Sequence, residues 1–220
     1  MKRIFLSIML VVAAAVSVSA QGRWGVRVSY ELACPTDVEY TQGIKADMFG
    51  NRSGFSLGAV YNMPVFYGLY FEPGVTLAYN TFSVNSGWIN SNISQNPDYA
   101  GLTLTSATMN MWDLRIPIIG GYKFDIFPGL ALSVFTGPEL SLGMSAKVKY
   151  KFGSLSMDES AYGGDGFMNR TDVKWRFGVG AELADHFYGS ISGAVGLCDR
   201  IESNEKMMSN LFDLTIGYNF

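Results

Sequence analysis

The stretch 212–220 constrains the fold most. Phe212, Leu214, Ile216, Tyr218 and Phe220 are large and apolar, while Asp213, Thr215, Gly217 and Asn219 between them are polar or small. A period of two is the mark of a β-strand whose faces meet different surroundings. A strand also needs neighbours for its backbone donors and acceptors. The chain must therefore supply partner strands with the same two-faced pattern.

It supplies seven. Alternation predicts strands over 23–33, 54–62, 68–81, 111–124, 130–150, 173–183 and 187–197, with 212–220 as the eighth. In 23–33, Trp24, Val26, Val28, Tyr30 and Leu32 oppose Arg23, Gly25, Arg27, Ser29 and Glu31. In 173–183, Val173, Trp175, Phe177 and Val179 oppose Lys174, Arg176, Gly178 and Gly180. In 111–124, Pro117 lacks a ladder donor and Ile119 falls among the polar positions, so a bulge is expected near Pro117. The connections 63–67, 125–128 and 185–186 are short. The stretches 35–53, 84–108, 151–171 and 198–209 are long and without usable periodicity. Short and long alternate, as in an all-β, eight-stranded antiparallel up-and-down meander with one end trimmed and the other elaborated. The 25 glycines and the 14% of aromatic residues suit strands better than helices.

Met1-Lys2-Arg3 followed by an apolar run to Val18 and by Ser19-Ala20 reads as a signal peptide over 1–20. The remaining 21–220 fits one domain. The net charge is −3, or −5 without Lys2 and Arg3, which gives no reason to expect nucleic acid as a partner. No later segment is apolar for long enough to span a membrane as a helix.

Alternation alone does not say which face looks inward. A soluble barrel encloses its apolar face, whereas a membrane barrel turns it outward. The polar face carries Gly25, Gly58, Gly74, Gly121, Gly178, Gly180, Gly196 and Gly217. Glycine weakens a water-facing strand but fits a narrow interior. Aromatics on the apolar face gather towards strand ends, at Trp24, Phe55, Tyr79, Trp112, Phe124, Trp175, Phe187, Tyr218 and Phe220. Tyr and Trp favour a membrane boundary. Both observations put the apolar face in lipid, and the chain in a bacterial outer membrane.

Four stretches carry a family resemblance: Leu114-Arg115-Ile116-Pro117-Ile118 with Gly121-Tyr122-Lys123-Phe124, Gly137-Pro138-Glu139-Leu140, Phe177 to Leu183, and the terminal strand. They resemble the Bacteroidota small outer-membrane β-barrel proteins, the porin-family or PorT-like group. The terminal strand, with Ile216, Tyr218 and Phe220, also resembles the assembly signal read by the barrel-assembly machinery. The resemblance implies a transmembrane barrel and brings no catalytic motif, cofactor or metal with it. One member type assists a secretion system, and nothing in these residues singles that role out.

The residues themselves offer little chemistry. His186 is the sole histidine and falls in a short turn, at the wrong end for a rim enzyme. Gly178-Val179-Gly180 lacks the third glycine and the helix of a dinucleotide site. Asp158, Glu159 and Asp165 do not have EF-hand spacing and read as a solvated loop. Asn51, Asn92 and Asn169 head chance glycosylation sequons. Cys34 and Cys198 leave two outcomes open. An oxidising envelope favours a disulfide, while the spacing of strands two apart opposes it.

The inward charges say more. Arg23, Arg27, Arg115, Lys123, Lys174 and Arg176 face Glu31, Glu72, Asp113, Glu139, Glu182 and Asp213. Buried charges are costly unless paired, so an interior salt-bridge network is expected. The expected function is non-enzymatic: surface recognition, adhesion or envelope support through the external loops. The expected partners are outer-membrane lipid and an unidentified extracellular ligand or protein. A small-solute or ion channel is the first alternative. An outer-membrane enzyme or a secretion-system accessory comes after it.

Overall fold

The computed structural model describes residues 22–36, 38–39, 45–46, 49–84, 86–87, 90, 103–153, 155–163, 168–200 and 207–220. The expected signal peptide, Asn92 and Asp165 lie outside them, and no side-chain position is described for Asn51. The strands are β1 (Arg23–Pro35), β2 (Val38–Glu39), β3 (Lys45–Ala46), β4 (Phe49–Phe66), β5 (Leu69–Val84), β6 (Ser106–Phe127), β7 (Leu130–Phe152), β8 (Leu155–Ser160), β9 (Thr171–Leu183), β10 (Phe187–Gly196) and β11 (Ser209–Asn219). No helix among the described residues is long and apolar enough to cross a membrane.

The sheet order is β6-β5-β4-β1-β11-β10-β9-β7-β8, and a further β6–β7 pairing joins its ends. Eight strands thus form a closed antiparallel ring, and β8 hangs on the outer part of β7. The terminal strand closes the barrel: β11 pairs β1 on one side and β10 on the other. Closure leaves the ring without a free edge, as lipid requires.

Period two becomes inside and outside. On β11, Ile216 is 66% exposed, while Asp213 is 1% exposed and Asn219 2%; Phe220, just after the strand, is 67% exposed. The outward side chains of the ring form an apolar belt. Aromatic pairs mark its inner edge at Trp24–Tyr61 and Tyr218–Phe220, and its outer edge at Tyr30–Phe55 and Tyr79–Trp112. Large inward rings lie over glycines on neighbouring strands. A Cβ on Gly121 would stand 2.5 Å from the Tyr70 ring, and one on Gly178 2.5 Å from the Phe135 ring.

Three expectations need correction. Two inner turns are tighter than read, at Tyr67–Gly68 and Pro128–Gly129, and the third is one residue longer, at Ala184–His186. Tyr67 and Gly68 both take positive φ, 41° and 84°, which gives a two-residue hairpin. The bulge near Pro117 is absent, because Pro117 pairs Glu139 in register. Ile119 points inward by ordinary alternation and is 7% exposed. The register shift lies higher, where Trp112 pairs Ser145 but Asp113 pairs Gly143, so that Met144 is the extra residue. Finally, the stretch 151–171 is not all loop. It contains β8, which folds back along β7 from Lys147 to Phe152.

Candidate functional site: a lumen filled with ion pairs

The inward positions stack in tiers from the turn end to the loop end. At the turn end, Lys123 Nζ reaches Glu182 Oε2 at 2.6 Å. Above it, Arg27 meets Glu72 at 3.1 Å and donates to Asn219 Oδ1 at 2.8 Å. Asn62 also donates to Glu72, at 2.8 Å, and the Arg27 guanidinium lies 4.1 Å from the centre of the Tyr188 ring. Mid-barrel, Arg176 bridges Glu139 at 2.8 Å and Asp213, whose second oxygen accepts from Ser192 at 2.7 Å. Arg115 reaches across the lumen to Glu31 at 2.7 Å, with Asp113 at 4.0 Å. The last polar tier holds Lys174 at 2.7 Å and Arg200 at 3.2 Å from Asp172, with Arg200 also 3.6 Å from Asp113.

The structure therefore brings together Arg27, Glu31, Glu72, Arg115, Glu139, Lys174, Arg176, Glu182 and Asp213. Arg23 is the exception among the expected inward charges. It is exposed at the turn-end rim, where it donates to the Asp185 carbonyl at 3.0 Å. Asp172 and Arg200 are two members that the sequence reading missed, at 0% and 1% exposure. Asp172 shares parity with Lys174 and Arg176, so extending the alternation of that strand by one step finds it. Arg200 comes from an aperiodic stretch and has no such signal.

Removing several charges from water is costly, and their mutual attraction compensates only where geometry is good. The contacts of Arg115 with Glu31, Arg176 with Glu139 and Lys174 with Asp172 are short, while Glu31 Oε2, Glu139 Oε1, Asp113 Oδ1 and Arg115 Nε have no hydrogen-bond partner among the described residues. The cations Arg27, Arg115, Lys123, Lys174, Arg176 and Arg200 nearly balance the carboxylates Glu31, Glu72, Asp113, Glu139, Asp172, Glu182 and Asp213. Between the ion pairs lies a cavity of about 80 Å³ lined by Arg27, Glu31, Tyr70, Arg115, Ile119, Glu139 and Tyr188, among others. That is room for a few waters.

Above the ions the filling changes. Leu104, Ala107, Met109, Met111, Ala146, Val148, Ala161, Tyr162, Met168 and Met207 form one buried apolar cluster. Leu104, Ala161, Tyr162, Met168 and Met207 come from stretches expected to be loop. Tyr162 joins the two layers, because its hydroxyl accepts from Arg200 Nη2 at 3.2 Å.

The other candidates are placed as follows. Cys34 and Cys198 are exposed free thiols, so no bond joins them. β11 lies between β1, which carries Cys34, and β10, which ends two residues before Cys198. His186 sits in its turn, stacked on Tyr218 at 5.3 Å, with Nδ1 2.8 Å from the Asn219 carbonyl oxygen. Among the described residues there is no cluster of three metal-ligating side chains. Ile216, Tyr218 and Phe220 all face outward, and the Phe220 amide donates to the Trp24 carbonyl at 2.8 Å.

Solved structures similar in outline include Ail, the attachment invasion locus protein of Yersinia pestis, in complex with the heparin analogue sucrose octasulfate. It shares 13% identity over 90% of this chain and 99% of that one, with a TM-score of 0.47. The outer membrane protein OprG from Pseudomonas aeruginosa shares 11% identity over 90% and 96%, with a TM-score of 0.45. Neisserial surface protein A shares 10% over 90% and 97%, with a TM-score of 0.43. No curated protein matches. A family match covers residues 19–202, most of the chain, under the description outer membrane protein beta-barrel domain. With that match, the closed ring and the apolar belt together, the chain belongs to the outer membrane protein beta-barrel domain family and is an integral protein of the outer membrane.

Proposed function

We propose that this protein is a non-enzymatic barrel with a plugged lumen, acting through its extracellular end in recognition, adhesion or envelope support. The observation that carries the reading is the doubly filled interior: tiers of ion pairs through the belt and an apolar cluster above them. A lumen built to conduct would keep a continuous polar path. The extracellular ends of β6 and β7 and the added β8 form a folded platform beyond the belt, where a ligand can meet a hydrogen-bonded sheet surface. The Bacteroidota, PorT-like kinship and removal of 1–20 as a signal peptide belong to the same reading. So does recognition of Ile216, Tyr218 and Phe220 by the barrel-assembly machinery. Mass measurement of the mature protein tests the cleavage.

Planar-bilayer recording tests the plug. The purified protein is expected to show no steady conductance. A stable open channel in the unmutated protein would replace this reading with the small-solute channel.

A further inference from the structure

The outward face of the ring is apolar up to the Tyr79–Trp112 pair, whose ring centres are 4.9 Å apart. Past Trp112 the outward residues of β7 are Ser145, Lys147, Lys149 and Lys151, paired with Trp112, Asn110, Thr108 and Ser106 of β6. On the far side, β8 sets Ser160, Asp158 and Ser156 opposite the same three lysines. All three lysines are exposed, and among the described residues none is in an ion pair. Among the described residues Asp158 is the one carboxylate opposite these lysines, against three ammonium groups. Trp112, Ser145, Asn110, Lys147, Lys149 and Asp158 line a concavity of about 290 Å³. Tyr79 holds Asn110 in place by donating to its Oδ1 at 3.1 Å.

Height decides what such a patch meets. Lys147 lies two residues beyond the partner of Trp112, roughly 7 Å along the strand. An indole sits at headgroup level, and a lysine stem of this length reaches back to it. The Lys147 ammonium therefore stands where lipid phosphates are, with an aromatic shelf beneath for the first carbons of the chains. Lys149 and Lys151 follow roughly 13 and 20 Å along the strand, facing the outer part of a large headgroup.

We infer that the Trp112–Lys147–Lys149–Lys151 face binds a phosphate-bearing lipid headgroup of the outer leaflet. A lysine at such a surface strengthens attraction to anionic lipid about fivefold. The test uses full-length protein folded into phosphatidylcholine vesicles containing either phosphorylated lipid A or lipid A stripped of its phosphates, and counts retained lipid by native mass spectrometry. The unmutated protein should retain the phosphorylated form at least about tenfold better. The K147Q/K149Q/K151Q variant should lose that preference while keeping heat-modifiable migration, and Arg23→Gln at the opposite rim should keep it. Equal retention of the two lipids, or unchanged preference in the triple variant, overturns the inference. Complete displacement by soluble inositol hexaphosphate would also overturn it, assigning the patch to a soluble polyanion.

Discussion

The same strands enclose two opposite interiors. Low in the barrel, Leu114 and Ile116 face out while Asp113 and Arg115 face in. High in the barrel, Thr108 and Asn110 face out while Met109 and Met111 are fully buried. On β7 the change of sense coincides with the extra residue at Met144. Below it Ser141 and Gly143 are inside, and above it Ala146 and Val148 are, with Lys147 and Lys149 outside. The reason is the solvent. Within the belt, lipid takes the apolar face and polar groups are left to pair with one another. Beyond it, water takes the polar face and hydrophobic burial resumes its usual direction. The lower half is thus held by a network in which each member needs its partner, and the upper half by packing, where a truncation costs the contacts and the cavity it leaves.

The largest test of that difference is Arg115→Ala. It leaves Glu31 buried without its cation and should cost about 3–5 kcal/mol, read by denaturant unfolding in vesicles. A loss under about 1 kcal/mol would mean that the lower half does not depend on pairing. Next is Met109→Ala in the upper cluster, expected to cost about 2–4 kcal/mol by the cavity it leaves. Hydrogen exchange should then quicken in the outer parts of β6 and β7 while the belt stays protected. Protection lost equally throughout would show that the two halves unfold as one unit. Deleting Phe220 removes an exposed ring at the turn end, so stability should fall by no more than about 1 kcal/mol. Membrane-inserted, heat-modifiable protein should fall far more in cells, and unchanged insertion would remove the assembly role. The smallest effect is expected for Lys151→Ala on the water-facing side, within about 0.5 kcal/mol.

Local pattern was enough for much of this. Alternation is set by backbone geometry within one strand, so the strand number, the inward faces and most of the interior charges are legible in residues such as Lys174, Arg176 and Glu182. The glycines and terminal aromatics even indicate which face meets lipid, because narrow lumens and membrane boundaries select residue types. The tertiary structure alone decided which charges meet. Arg115 finds Glu31 across the lumen, 84 positions away in sequence, and Arg200 enters from an aperiodic stretch to bind Asp172 and Asp113. It also decided that 119 needs no bulge, that 144 holds one, and that Tyr162, Met168 and Met207 close the top of the barrel. Those outcomes depend on the stagger between strands and on loops folding inward. Neither leaves a local period, because both are settled by contacts between residues far apart in the chain.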